Sequence, residues 1–128
     1  MRVLADTHIL AWFAEDAAEL TAETRSILED DRNILFFSSA SIWELTIKKA
    51  LKKVDFRLEP PILHRALLEN GFAELPVSAL NALALSSLPP IHKDPFDRIL
   101  IAQSAHEGMT LLTADRTVAQ YGGSIRLV

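Results

Sequence analysis

Residues 94–115 read Asp-Pro-Phe-Asp-Arg-Ile-Leu-Ile-Ala-Gln-Ser-Ala-His-Glu-Gly-Met-Thr-Leu-Leu-Thr-Ala-Asp, a helix with both ends written in, followed at once by a strand that runs into an acid. Asp94 suits the N-cap and Pro95 suits N1, where its missing N–H costs the helix nothing; Asp97 at N3 complements the helix dipole. The body carries Ile99, Leu100 and Ala102, and Gly108 closes it. Leu111–Thr113 is too short and too continuously apolar for an amphipathic helix, and reads as a strand buried on both faces. A helix that feeds a buried strand is half of a βαβ unit, which requires a parallel sheet.

Outward from this stretch the same rhythm recurs. Val3–Ala5, Ile34–Phe37, Phe72–Leu75 (ended by Pro76) and Ile125–Val128 read as further strands. Between them, Thr21 opens a segment that turns Ile27 and Leu28 inward. Pro60-Pro61 opens another, stopped by Gly71, and Ser78 starts a helix with Leu80, Leu83 and Ala84 that ends before Pro89-Pro90. Gly122-Gly123 marks a turn. No repeat, linker or low-complexity tract interrupts the pattern. The expectation is an α/β fold on a mostly parallel sheet of about five strands, one domain over residues 1–128.

The 128 residues hold 49% hydrophobic residues, 17 Asp and Glu, 13 Lys and Arg, and a net charge of -4 with His neutral. Such a composition excludes intrinsic disorder and fibrous repeats. The absence of Cys removes disulfides, Cys-ligated zinc, iron–sulfur clusters and thiol nucleophiles, and fits a reducing compartment. No apolar run approaches the roughly 20 residues of a membrane helix, and Met1–Asp6 lacks the apolar stretch of a signal peptide. A cytoplasmic protein without membrane contact is expected. An acidic balance argues against a sequence-reading nucleic-acid binder, but not against an enzyme that uses cations to reach phosphodiesters.

In an open parallel sheet the ligand crevice lies outside the carboxyl ends of the strands. Asp6 directly follows the first strand, and Asp115 follows Leu111–Thr113 after one Ala. Asp97 opens the helix whose N-terminus lies at the same edge, and Glu44 lies in the helix behind the second strand. Each has an ordinary explanation. Asp6 suits the cap of a helix starting near Thr7, Ser41-Ile42-Trp43-Glu44 fits a capping box, Asp97 complements a dipole, and Asp115 suits the cap of a short helix through Val118. Their joint placement is harder to explain, because clustered carboxylates repel one another unless cations or protons neutralise them. An all-oxygen ligand set points to Mg²⁺ or Mn²⁺. Such ions serve phosphoryl chemistry by holding phosphate oxygens and offsetting charge on the leaving oxygen.

Asp6-Thr7-His8, Glu44 within Ser-Ile-Trp-Glu-Leu, His92-Lys93-Asp94-Pro95-Phe96-Asp97-Arg98 leading into Ile99-Leu100-Ile101-Ala102-Gln103, and Leu112-Thr113-Ala114-Asp115 together resemble the PIN-domain ribonucleases, in particular the VapC-type toxins of bacterial toxin–antitoxin pairs. The resemblance covers nearly the whole chain, and the Asp94–Gln103 stretch is its most specific part. It implies a three-layer α/β/α sandwich, Mg²⁺- or Mn²⁺-dependent RNA cleavage, a homodimer, and a cognate antitoxin that blocks the site. By position, Asp6, Glu44 and Asp97 match the family's three best-kept acids and Asp115 the more variable fourth. Asp94, one turn before Asp97, could support that ligand or replace it. Thr7 stands where the family carries a small hydroxyl residue, which could contact phosphate or instead mark the helix start.

Other polar residues carry weaker signals. Arg98 and Arg116 each follow an acid and could grip an RNA phosphate or pair with a carboxylate. Lys48, Lys49, Lys52 and Lys53 make a basic face that could steer RNA, or simply be solvated. His8 and His92 flank the site. Trp12 and Phe13, adjacent on the first helix, are hard to bury together; with Trp43 they are the candidates for an antitoxin contact. The competing reading is a non-catalytic interaction module whose acids serve only as caps. A haloacid-dehalogenase-type phosphatase would need a second Asp where His8 stands, and a phosphoacceptor receiver domain would need an acid pair at the end of the first strand.

Overall fold

In the computed structural model, which describes residues 1–53 and 56–128, five strands alternate with helices in the order anticipated. β1 (Arg2–Ala5) leads to α1 (Thr7–Glu15) and α2 (Ala22–Glu29). β2 (Ile34–Ser38) leads to α3 (Ser39–Ala50) and α4 (Pro60–Glu69). β3 (Ala73–Leu75) is followed by α5 (Ala79–Ala84) and a 3-10 turn (Leu85–Ser87). α6 (Pro95–Glu107), β4 (Thr110–Thr113), α7 (Arg116–Ala119) and β5 (Ile125–Leu127) complete the order. The strands lie as β3-β2-β1-β4-β5, and all four pairings are parallel.

Alternation along the two central strands explains the layers. Val3 and Ala5 belong to one apolar cluster, which takes Ile9 and Leu10 from α1 and Leu63 and Leu67 from α4. Leu4 belongs to another, with Leu100 and Ile101 of α6 and Val118 of α7. In β4, Leu111 joins the second cluster and Leu112 the first. Successive strand residues point to opposite faces, so helices cover both sides and the fold is a three-layer α/β/α sandwich. Among the described residues, no helix is long and apolar enough to cross a membrane.

The chain moves outward from β1 to β2 and β3, then returns across β1 to β4 and β5. This reversal lies between β1 and β4, where such sheets open a crevice at the carboxyl edge.

Three details depart from the sequence reading. Phe72 is buried beside the strand and not in it, because its N–H closes α4 on Leu67 O while the Gly71 N–H reaches Leu68 O; Gly71, at φ +86, is the C′ residue of this Schellman closure. In α5, Leu80 and Leu83 are exposed and Asn81 is buried. Asn81 forms the capping box with Ser78 and reaches Glu107 and Gln103 of α6. The four lysines do not share a helical face: α3 ends at Ala50, Lys52 has a left-handed backbone at φ 56, and Lys49 turns to Phe56 O.

Candidate metal centre

Every expected acid stands at the carboxyl edge of the sheet. Asp6 caps α1, its Oδ1 accepting from the Ile9 N–H at 3.1 Å, while its own N–H extends the β1–β4 ladder to Leu112 O. Its Oδ2 accepts from the Thr113 hydroxyl at 2.5 Å. Thr113 in turn accepts from the Asp115 N–H at 3.0 Å, a local turn that sets Asp115 as the cap of α7. The strand-end threonine therefore ties the two strand-end acids together. Burial holds the Asp6 carboxyl above its ordinary value, against the pull of the Thr113 and Ile9 bonds.

Glu44 is no capping-box residue. α3 begins earlier than that reading requires, with Ser38 as the N-cap bonding the Ala40 N–H, and Ser41 lies inside the helix, accepting from the Thr7 hydroxyl at 2.9 Å. That bond spends the Thr7 donor and joins α1 to α3. Glu44 is 3% exposed. Its Oε2 receives Lys48 Nζ at 2.5 Å, and its Oε1 is buried with no hydrogen-bond partner among the described residues.

Asp97 sits at N3 of α6, its side chain 16% exposed, with Oδ2 at 2.8 Å from His92 Nε2. The same His92 nitrogen lies 3.7 Å from Asp115 Oδ2. One ligand atom from each of His92, Asp97 and Asp115 falls within 4.8 Å of the others. Burial raises the Asp97 carboxyl to about 6, reinforced by the negative charges of Asp94, Asp6 and Glu44. Asp97 therefore lies within electrostatic reach of Asp6, just after β1, and of Glu44 in α3. Asp94 is occupied otherwise: its Oδ1 caps the Phe96 and Asp97 N–H groups.

The expected phosphate-binding residues separate. Arg116 is exposed. Arg98 is not free to grip RNA, because its guanidinium donates to Pro89 O, Leu85 O and Tyr121 Oη. Lys48 is engaged with Glu44. Beside the acids a cleft of about 310 Å³ is lined by Thr7, His8, Trp12, Glu44, Lys48 and Lys53 among others. Trp12 and Phe13 are both half-buried against the first core cluster, whereas Trp43 is 63% exposed.

The sequence reading assigns no role to Thr113 or Tyr121. The signal for Thr113 was present, a hydroxyl residue at the buried end of an apolar strand two positions before an acid. Tyr121 carried none, since its contacts span 23 and 29 positions.

Residues 3–123 match the PIN domain family. No curated protein sequence matches the chain. Among solved structures, the fold is similar to VapBC2 from Rickettsia felis bound to a promoter DNA fragment, at 14% identity and TM-score 0.68, covering 100% of this chain and 98% of that one. VapBC-1 from nontypeable Haemophilus influenzae follows at 18% identity and TM-score 0.64, with 99% and 98% covered. The PIN domain endonuclease Utp24 is similar at 17% identity and TM-score 0.56, with 98% and 82% covered. A family match over nearly the whole length, on a sheet whose carboxyl edge gathers four acids, makes this chain a member of the PIN domain family.

Proposed function

We propose that the chain is a Mg²⁺- or Mn²⁺-dependent endoribonuclease, a single domain over residues 1–128, and the toxin of a toxin–antitoxin pair. The observation that carries the reading is Glu44, whose buried, unpartnered Oε1 stands in the same electrostatic field as Asp97 and Asp6. A buried acceptor without a donor costs about 1–3 kcal/mol, and a cation shared by the cluster would remove that cost together with the mutual repulsion. The donor set fits a hard divalent ion, and Asp6, Glu44, Asp97 and Asp115 would hold it. When bound, such an ion supplies charge for the phosphate oxygens and a lowered pKa for the attacking water.

The chain's own residues do the positioning. Thr113 and the Ile9 N–H fix both oxygens of Asp6, Lys48 fixes one oxygen of Glu44, and His92 fixes one of Asp97. Arg116 and Lys52 lie outside the cluster with charge to offer an RNA backbone. A module that only binds protein would need the acids as caps. Asp6 and Asp115 do cap helices, but neither Glu44 nor Asp97 does.

The toxin assignment draws on the VapBC neighbours and on the resemblance in sequence. It implies a homodimer, a cytoplasmic location and an antitoxin encoded beside this chain. Purified protein incubated with mixed RNA should cleave it with Mg²⁺ or Mn²⁺, and stop in excess EDTA or as Asp6→Asn. Equal cleavage by Asp6→Asn and parent would overturn the reading.

A further inference from the structure

His92 is held from three directions. Its backbone N–H donates to Tyr121 Oη at 2.8 Å, and the same hydroxyl oxygen receives Arg98 Nη1 at 3.0 Å. Its ring Nδ1 accepts from the Asp94 N–H at 3.3 Å, and its Nε2 meets Asp97 Oδ2 at 2.8 Å. A nitrogen that accepts carries no proton, so the hydrogen of a neutral ring must sit on Nε2. Nε2 then has no lone pair to give a metal ion, although His92, Asp97 and Asp115 converge closely enough to suggest three ligands.

We propose that Tyr121 and Arg98 are positioning residues that lock His92 as an Nε2–H donor to Asp97, so that the histidine orients this carboxylate toward the centre and does not itself bind metal. The lock works through the fold. Asp115 caps the N-terminus of α7 and Tyr121 follows its C-cap Gln120, so the residues flanking one short helix approach His92 at the ring and bond it at the backbone. Arg98, one residue beyond Asp97 on α6, bonds Tyr121 Oη and also ties down the preceding segment through Leu85 O and Pro89 O. Outer contacts of this kind fix ligand orientation and typically cost 10- to 100-fold in metal affinity when removed.

The inference rests on the metal-centre reading for its consequence, but its geometry is testable without it. Long-range proton–nitrogen correlation of the four histidine rings, above the histidine titration range in EDTA, reads the tautomer; the His92 signals are assigned by their loss in His92→Gln. The parent should show an Nε2–H ring that persists when Mg²⁺ is added. Tyr121→Phe, which keeps the aromatic ring packed, should mix the tautomers and weaken Mg²⁺ binding in calorimetry by roughly tenfold. Arg98→Lys should do the same more weakly. An Nδ1–H ring in the parent, or loss of the Nε2 proton on adding Mg²⁺, would overturn the proposal, as would an unchanged spectrum and unchanged Mg²⁺ affinity in Tyr121→Phe. A nuclease failure with the expected spectra would count against the enzymatic reading alone.

Discussion

Thr113 and Asp6, 107 positions apart, share a 2.5 Å hydrogen bond in which the threonine hydroxyl donates to a carboxylate oxygen at the ends of neighbouring strands. The bond is buried and charge-assisted, and the same hydroxyl receives the Asp115 N–H. Thr113→Val keeps the shape and removes both contacts. The expected loss is about 2–3 kcal/mol of stability at neutral pH, with weaker Mg²⁺ binding, while Thr113→Ser stays near the parent. Denaturant melts and calorimetric Mg²⁺ titration check both, and a Val variant equal to the parent would make the bond incidental.

Removing charge from the cluster has opposite effects on activity and stability. Asp97→Asn should abolish RNA cleavage, yet in EDTA it should melt no lower than the parent, because burial and three neighbouring acids already hold its proton on to about pH 6. A marked drop in melting temperature would mean that the charge of Asp97 supports the fold.

The same shift sets a pH dependence. The Asp97 carboxyl is raised from 3.8 to about 6 in the folded chain, so its proton favours folding. The contribution is fully present below about pH 4 and is lost as pH rises through about 6. The loss is about 3 kcal/mol at most, at 1.36 kcal/mol per unit, with Asp6 raised in the same direction. In EDTA, melting temperature should fall between pH 4 and 7, and Mg²⁺ should restore it most at the upper end. A flat profile in EDTA would show that the Asp97 carboxyl is not raised in the folded chain.

Much of this arrangement was legible in the sequence because it depends on local signals. Asp94-Pro95, Thr21, Ser78 and Gly71 mark helix ends through bonds spanning a few residues, and apolar runs such as Val3–Ala5 mark strands buried on both faces. The acids could be placed at one edge because strand direction decides which end they occupy. What stayed hidden depends on contacts between distant segments. Arg98 looks like a phosphate ligand until Tyr121 is seen beside it. Lys52 looks like part of the α3 face until the helix is seen to end at Ala50, and Leu80 looks like a core residue until Asn81 takes the inward position for its side-chain bonds.

The lysines should now separate. Lys48 answers to Glu44: burial works against its charge, but the Glu44 carboxylate raises its pKa above the ordinary value. Lys48→Ala leaves a buried carboxylate with both oxygens unpartnered, and should destabilise the EDTA-treated protein by a few kcal/mol, a loss that Mg²⁺ partly reverses. Lys52→Ala should leave stability and Mg²⁺ affinity alone and lower the salt slope of RNA binding by about 1. Melts with and without Mg²⁺ read the first, and RNA binding against salt reads the second. Indistinguishable variants would return both lysines to one solvated face.

Of the three aromatics near the site, Phe13 is packed on Phe72 with ring centroids 5.4 Å apart. Trp43 is exposed and stands edge-on to Phe96 at 5.2 Å, over an apolar hollow that includes Val77 and Leu85. Trp12 alone lines the cleft that also holds Glu44 and Lys48, so an apolar helix laid against Trp12 would carry a neighbouring Arg or Lys toward the acids. Such a cation would neutralise the charges that Mg²⁺ would otherwise neutralise, so inhibition should weaken as Mg²⁺ rises. Truncating a half-buried tryptophan at an interface centre costs about 2 kcal/mol, roughly 30-fold in Kd. Trp12→Ala should therefore weaken the complex with the neighbouring gene's product by that amount, whereas Trp43→Ser should leave it intact. Binding measured by calorimetry separates the two. If Trp43→Ser abolishes the antitoxin complex and Trp12→Ala does not, the partner sits on the Phe96 side and its cation does not enter through this cleft.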